Sequence, residues 1–89
     1  MPQNQVKTLN RAEYDVLLDL LRVAREQAGL KQHALSLLLG EGPMFIHKVE
    51  NKDRRLDLLE FVQLCQALNL DPKDVMGQWL DRVGTRSGQ

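Results

Sequence analysis

The residues best suited to chemistry lie in one stretch, GEGPMFIHKVENKDRR, which spans residues 40–55. Its basic side chains are His47, Lys48, Lys52, Arg54 and Arg55. Lysine and arginine bind phosphate oxygens, and lysine and histidine can donate hydrogen bonds to the O6 and N7 atoms of guanine. The stretch therefore indicates recognition of an anionic partner, although a solvated basic surface would explain the same residues.

Charge is unevenly distributed along the chain, although the formal net charge is zero. Residues 22–55 hold seven lysines and arginines and four acids, whereas the rest of the chain holds five lysines and arginines and eight acids. A locally basic face on a neutral protein points modestly to an anionic partner. A mixed solvated surface accounts for the same distribution, so charge alone leaves both interpretations open.

The reactive residues predict no enzyme, metal site or cofactor. The sequence contains no Cys-x-x-Cys, His-Glu-x-x-His, Gly-x-Ser-x-Gly or phosphate-loop pattern. The two histidines, His33 and His47, fall on different predicted helices, and the one cysteine, Cys65, falls on a predicted buried face. These residues could form a nucleophilic or metal-binding site only if the fold happened to bring them together.

The same composition predicts an intracellular, cytoplasmic protein. One cysteine cannot form an internal disulfide, and no apolar run approaches the roughly 20 residues of a membrane span. The first residues, MPQNQVKTLN, lack the basic-then-apolar order of a secretory signal.

Hydrophobic spacing of three and four residues predicts that five helices and no strand position these side chains. The first two span residues 11–28 and 31–39, and the third spans residues 43–51. The fourth begins after Asp57 and the fifth at Asp71-Pro72. Residues 8–84 are expected to form one domain, with loose ends at 1–7 and 85–89.

Cap residues mark the helix ends. Asn10 can cap the first helix, with an acid three residues later, and Asp57 is followed by the same spacing, as in a capping box. Gly29 is expected to end the first helix in a left-handed turn. A short glycine-containing turn, GEG, separates the second and third helices and favours a helix-turn-helix unit.

The apolar stripes predict the core. The expected buried residues are Tyr14, Leu17, Leu18, Leu21 and Ala24 in the first helix; Ala34, Leu35 and Leu38 in the second; Phe45, Ile46 and Val49 in the third; and Leu58, Phe61, Val62, Cys65 and Leu68 in the fourth. The fifth helix contributes Val75, Met76, Trp79, Leu80 and Val83. The last four of these also allow a second interpretation, a twofold surface of a homodimer.

Several elements along residues 20–72 occur in a recognisable order: the Gly29-Leu30 step, FIHKVE at 45–50, RRLDLLEF at 54–61 and ALNLDP at 67–72. Together they resemble the Cro/phage-repressor (Xre) type helix-turn-helix DNA-binding family. The resemblance implies an all-α, compact five-helix helix-turn-helix domain with a lambda-repressor-like fold. It also implies a bacterial or phage origin and a nucleoid-associated protein without a cofactor.

The resemblance and the residue types together imply roles for individual residues on double-stranded DNA. The residues expected to face bases are Met44, His47 and Lys48. Those expected to face phosphates are Gln32, His33, Lys52, Arg54 and Arg55, and the resemblance also implies that Gln32 braces the recognition helix. The resemblance further implies that Arg25 pairs with Glu50 as a structural clamp and not as a DNA contact.

Some residues depart from the family's pattern. Gly42 stands where serine or threonine usually caps the third helix, and Pro43 and Met44 stand where polar base readers are usual. Glu41 would repel phosphate, and Lys52 replaces a loop glycine. The leading prediction is a sequence-specific transcriptional regulator, a repressor that binds an inverted repeat as a homodimer. The alternative is the same fold used for protein binding, as an antiactivator, antitoxin-like protein or adaptor.

Overall fold

The computed structural model describes residues 11–84 of the chain. Within that range lie five helices and no strand: α1 (Arg11–Gln27), α2 (Gln32–Leu38), α3 (Phe45–Glu50), α4 (Leu58–Ala67) and α5 (Pro72–Val83). The predicted all-α, five-helix fold is therefore confirmed. The expected cap Asn10 and the expected loose ends at 1–7 and 85–89 lie outside the described residues.

The helices enclose one cluster of buried apolar side chains, to which every helix contributes. Its members are Leu17, Leu18, Leu21, Leu35, Phe45, Ile46, Val49, Phe61, Leu64, Cys65, Leu68 and Val75. Tyr14, Ala24, Val62, Met76 and Trp79 are partly buried against it. Because α1 packs on both α3 and α5, it is the central helix of the domain and supports the helix-turn-helix unit of α2 and α3.

Three residues that were predicted to be buried are exposed. Leu38 and Leu58 are 63% and 71% exposed, and Ala34 is also exposed. On α2, the inward-facing residues are Leu35 and Ser36, so Leu38 falls to the outside. On α4, the buried stripe begins one turn later than predicted and includes Leu64, which was not predicted to be buried. The first turn of α4 extends to the rim of the domain, where no neighbouring helix covers it.

The predicted caps of the last two helices are confirmed. Asp57 accepts a hydrogen bond from the backbone N–H of Glu60 at 2.7 Å, and Glu60 Oε1 accepts one from the N–H of Asp57 at 3.0 Å. Asp71 accepts from the N–H of Lys73 at 2.8 Å, and Pro72 is the first residue of α5. These bonds satisfy amide groups that have no partner within the helix.

The helix α3 begins later than predicted, at Phe45 instead of residue 43. Pro43 and Met44 form a turn before it, and Met44 makes no cap hydrogen bond through its side chain. Gly29 ends the α1 region in the predicted left-handed conformation, with φ +73°. The helix-turn-helix unit is therefore present, with a short α3 and a longer turn than its sequence indicated.

Candidate nucleic-acid interface

Arg25 and Glu50 join α1 to the end of α3. Nε of Arg25 donates to Oε2 of Glu50 at 2.7 Å, and Nη2 donates to Oε1 at 3.1 Å. The third donor, Nη1, bonds to the backbone oxygen of Leu30 at 2.8 Å. Arg25 is buried, with 8% of its surface exposed. The structure thus brings together the two residues that the resemblance pairs, and the same guanidinium also holds the turn that leads into α2.

Gln32, the first residue of α2, extends this network. Its Nε2 donates to Oε1 of Glu50 at 2.8 Å, and its Oε1 lies 3.3 Å from Nδ1 of His47. Gln32, which was expected both to face a phosphate and to brace the recognition helix, is therefore held between two residues of α3. His33, the next residue along α2, is exposed.

The three residues expected to face bases differ in their surroundings. Met44 is 50% exposed in the turn before α3, and Lys48 is exposed on α3 and forms no ion pair with any described residue. His47 is half-buried and is the member of this group that contacts Gln32. Phe45, Ile46 and Val49 are buried on the opposite side of the same helix. The short helix α3 thus has an inner apolar side and an outer side that carries the candidate contacts.

Ser36, which no sequence pattern marked as a functional residue, positions the start of α3. Its side chain is completely buried. The hydroxyl donates to the backbone oxygen of Gln32 at 2.8 Å and accepts from the backbone N–H of Ile46 at 2.9 Å. Ile46 is the second residue of α3, so a side chain from α2 supplies the cap that the turn lacks. Gly42 stands where serine or threonine is usual. That departure indicated that another side chain had to cap the third helix.

The basic residues after α3 already have partners within the protein. Nζ of Lys52 lies 3.1 Å from Oδ1 of Asp15, although the two are not aligned for a hydrogen bond and that oxygen has no hydrogen-bond partner among the described residues. Lys52 also has φ +68°, a left-handed conformation that favours glycine. This explains why glycine is usual in the family at this point of the loop.

Arg54 and Arg55 stack on aromatic rings that belong to or flank the core. The Arg54 guanidinium lies 4.8 Å from the centre of the Phe45 ring and donates to both carboxylate oxygens of Glu60, at 2.9 and 2.8 Å. Arg55 lies 5.0 Å from the centre of the Tyr14 ring and forms no ion pair with a described residue. Of the two arginines, Arg55 therefore has the more available charge.

The Arg54–Glu60 pair changes the acid–base behaviour of both groups. The hydrogen bond from Arg54 lowers the pKa of Glu60 below its usual range, and the backbone N–H of Asp57 adds to the effect. The same pair raises the pKa of Arg54. Glu60 therefore neutralises part of the charge that was expected to contact phosphate.

The residues of the predicted dimer surface are half-buried. Trp79 donates from Nε1 to the backbone oxygen of Glu13 at 2.8 Å, so its ring closes the core against α1. Met76 and Leu80 instead line a shallow groove of about 410 Å³ between α4 and α5, whereas Val83 does not line it. The other apolar residues of the groove are Leu58, Phe61, Val62 and Pro72.

Residues 11–84 contain no cluster of three potential metal ligands. Burial, followed by the negative charge of Asp71, raises the pKa of the Cys65 thiol to about 11. The thiol is therefore neutral near pH 7 and inaccessible as a nucleophile. No helix in the described part of the chain is both long and apolar enough to cross a membrane.

Comparison with known proteins identifies the class to which this fold and surface belong. A helix-turn-helix family model matches residues 21–75, which is more than half of the chain. An XRE-family like protein from Pseudomonas syringae pv. tomato str. DC3000 has a similar solved structure, with a TM-score of 0.81 and 39% sequence identity over 89% of this chain and 96% of that one. No curated protein matches the chain.

The chain therefore belongs to the Xre-type helix-turn-helix family, a family of DNA-binding regulators that are generally not enzymes. This confirms the family that the sequence was predicted to resemble.

Proposed function

We propose that this protein is a sequence-specific transcriptional repressor that inserts α3 into the DNA major groove. The observation that carries the proposal is the network of Arg25, Glu50 and Gln32, which fixes α3 against α1 and α2. A rigid α3 presents Lys48 and His47 outward at a constant angle, as base reading requires. A domain of this size would repress by occupying a site that polymerase needs.

Each side chain has a part in this proposal. Lys48 donates to guanine O6 or N7, and Met44 contacts a thymine methyl group. Arg55 binds a phosphate while its ring contact with Tyr14 holds it in place. Gln32, His33, Lys52 and Arg54 are proposed as weaker phosphate contacts, because Lys52 and Arg54 already lie against carboxylates and Gln32 is held by α3.

DNA binding is tested by fluorescence anisotropy with DNA from upstream of the protein's own gene and a scrambled duplex, at two salt concentrations. We expect tighter binding to the specific duplex and weaker binding at higher salt, because bound phosphates release counterions. Arg55→Ala should reduce the slope of log K against log salt by about one. Absence of binding at micromolar protein and low salt would contradict the proposal.

We also propose that the protein acts as a homodimer through the groove between α4 and α5. Leu58 lines this groove and is 71% exposed, so the same face carries both an apolar projection and an apolar recess. A twofold axis lets each Leu58 pack into the groove of its partner, because such interfaces are self-complementary. Paired domains would also double the few base contacts that each α3 can make.

A second candidate function, protein binding without DNA reading, is favoured by one observation. Leu37, Leu38 and Met44 are all at least half-exposed within the α2–turn–α3 unit. Apolar side chains in this number suit contact with a protein more than with a phosphate backbone. If the anisotropy assay shows no DNA binding, this surface is the place to seek a protein partner. Leu38→Asp should then weaken binding of this partner, and Leu59→Asp on α4 is the control.

A further inference from the structure

The carboxylate of Glu50 determines which way the Gln32 amide points. An ionised carboxylate only accepts hydrogen bonds, and Oε1 of Glu50 lies 2.8 Å from the Gln32 amide. Gln32 must therefore turn its NH₂ group toward Glu50, because the reverse orientation would bring two oxygens together. Arg25 holds the carboxylate in place from the other side, so this orientation is maintained.

The amide orientation in turn determines the hydrogen position on His47. The Gln32 oxygen, which can only accept, lies 3.3 Å from Nδ1 of His47. The hydrogen of a neutral imidazole must then be on Nδ1, so that Nδ1 donates to Gln32. A neutral ring carries one such hydrogen, and Nε2 is left with a free lone pair. Nε2 makes no hydrogen bond with any residue in 11–84.

We propose that His47 is a specificity-determining residue whose Nε2 accepts a hydrogen bond from a base. In the major groove, the matching donors are the N4 amino group of cytosine and the N6 amino group of adenine. This replaces the guanine contact that the sequence predicted for His47, because guanine offers two acceptors there and Nε2 has no hydrogen to donate. The base contact rests on the proposed DNA binding, whereas the tautomer is a property of the free protein.

The tautomer is tested first, in a two-bond proton–nitrogen correlation spectrum of the nitrogen-labelled protein without DNA. The measurement is made at about pH 8.5, well above the ordinary imidazole range. We expect the His47 ring to be protonated mainly on Nδ1. His33, which makes no hydrogen bond with another described residue, provides the reference ring in the same spectrum.

A ring protonated mainly on Nε2 in the wild-type protein would overturn the proposal. In Gln32→Met, which removes the amide but keeps a similar length, His47 should lose its preference for Nδ1 and behave like His33. An unchanged His47 in a folded Gln32→Met protein would also overturn it. If the variant does not fold, the wild-type spectrum alone decides.

The base contact is tested by selection from randomised duplexes with wild-type protein and His47→Ala. At one position in each half-site, the wild type should prefer cytosine or adenine over guanine by about 2- to 10-fold, the range for one net hydrogen bond. His47→Ala should lose this preference and keep the preferences at other positions. If His47→Ala instead loses a preference of the wild type for guanine, the inference is overturned. Failure to select any DNA would count against the proposed function and would leave the tautomer result standing.

Discussion

Arg22 and Arg25 lie close together on α1, and both side chains bind carboxylates, but their surroundings differ. Arg22 pairs with Asp19 and Glu26 at the surface, where water can replace either partner. Arg25 is buried. Its removal would take two hydrogen-bond donors from the Glu50 carboxylate, in a site that water hardly reaches. The free energy of an ion pair depends on what remains when one partner is lost.

Arg25→Ala should therefore lower the free energy of unfolding by about 3–5 kcal/mol, the usual effect of breaking a buried pair. Arg22→Ala should change it much less, because its acids stay hydrated. Lys48→Ala should unfold like the wild type and alter DNA binding alone. Urea denaturation followed by circular dichroism measures all three. Equal losses for Arg25→Ala and Lys48→Ala would show that the division between clamp and reader is wrong.

Glu60 gives the domain a predictable response to acid. Its pKa is lowered in the folded protein by Arg54 and by the N–H of Asp57, so the folded state binds fewer protons than the unfolded state. The resulting stabilisation is present above the ordinary glutamate range and is lost as pH falls through the lowered pKa. Glu60→Gln, which keeps the shape of the side chain, should show a smaller loss of stability between about pH 6 and pH 3. A variant whose stability falls in parallel with the wild type would exclude this role.

At the scale of the element, α3 depends on its neighbour for its first turn. The helix has only six residues and no cap of its own, and short helices are marginal in isolation. The hydroxyl of Ser36 supplies the missing acceptor from α2. The orientation of the proposed reading helix is therefore tied to α2 at its start by Ser36 and at its end by Gln32.

Ser36→Ala should cost about 1–3 kcal/mol, because it leaves the N–H of Ile46 buried without a partner. Native-state hydrogen exchange should show the loss locally, with faster exchange in α3 and little change in α4, whose capping box is intact. Uniform acceleration in both helices would indicate a global effect and argue against a cap that acts on α3.

At the scale of the whole molecule, substitutions of two exposed leucines test the proposed dimer. Leu58 and Leu38 have similar exposure, 71% and 63%, but Leu58 lines the groove between α4 and α5. Leu58→Asn should shift the protein toward monomer in sedimentation equilibrium, whereas Leu38→Asn should not. If Leu38→Asn alone dissociates the dimer, the interface lies on the helix-turn-helix unit. If the wild type is monomeric at all concentrations, the dimer proposal fails.

Much of the helical framework could be predicted because its signals are local. The capping box at Asp57, the cap at Asp71 and the left-handed Gly29 each act within a few residues of chain. The errors at Leu38 and Leu58 arose where periodicity was extended to a turn that no neighbour covers. An apolar residue at helical spacing is buried only if another element lies opposite it.

The candidate site was predictable in its residues and less so in its contacts. The pattern around α3 indicated a reading surface, but the bond from Gln32 to Glu50 joins residues 18 apart, and the contact of His47 with Gln32 joins residues 15 apart. The partner of Arg54, Glu60, is on the following helix. Sequence spacing does not determine which of several possible polar partners such side chains meet.

The sequence alone was enough to predict the five helices, the caps at Asp57 and Asp71, the inner face of α3 and the family to which the chain belongs. These follow from side-chain periodicity and from hydrogen bonds within a few residues. The tertiary structure decided that Ser36 caps α3, that Gln32 faces His47, and that Lys52 and Arg54 lie against acids. Those contacts depend on how the helices pack, because packing sets the distance and direction between groups that are remote along the chain.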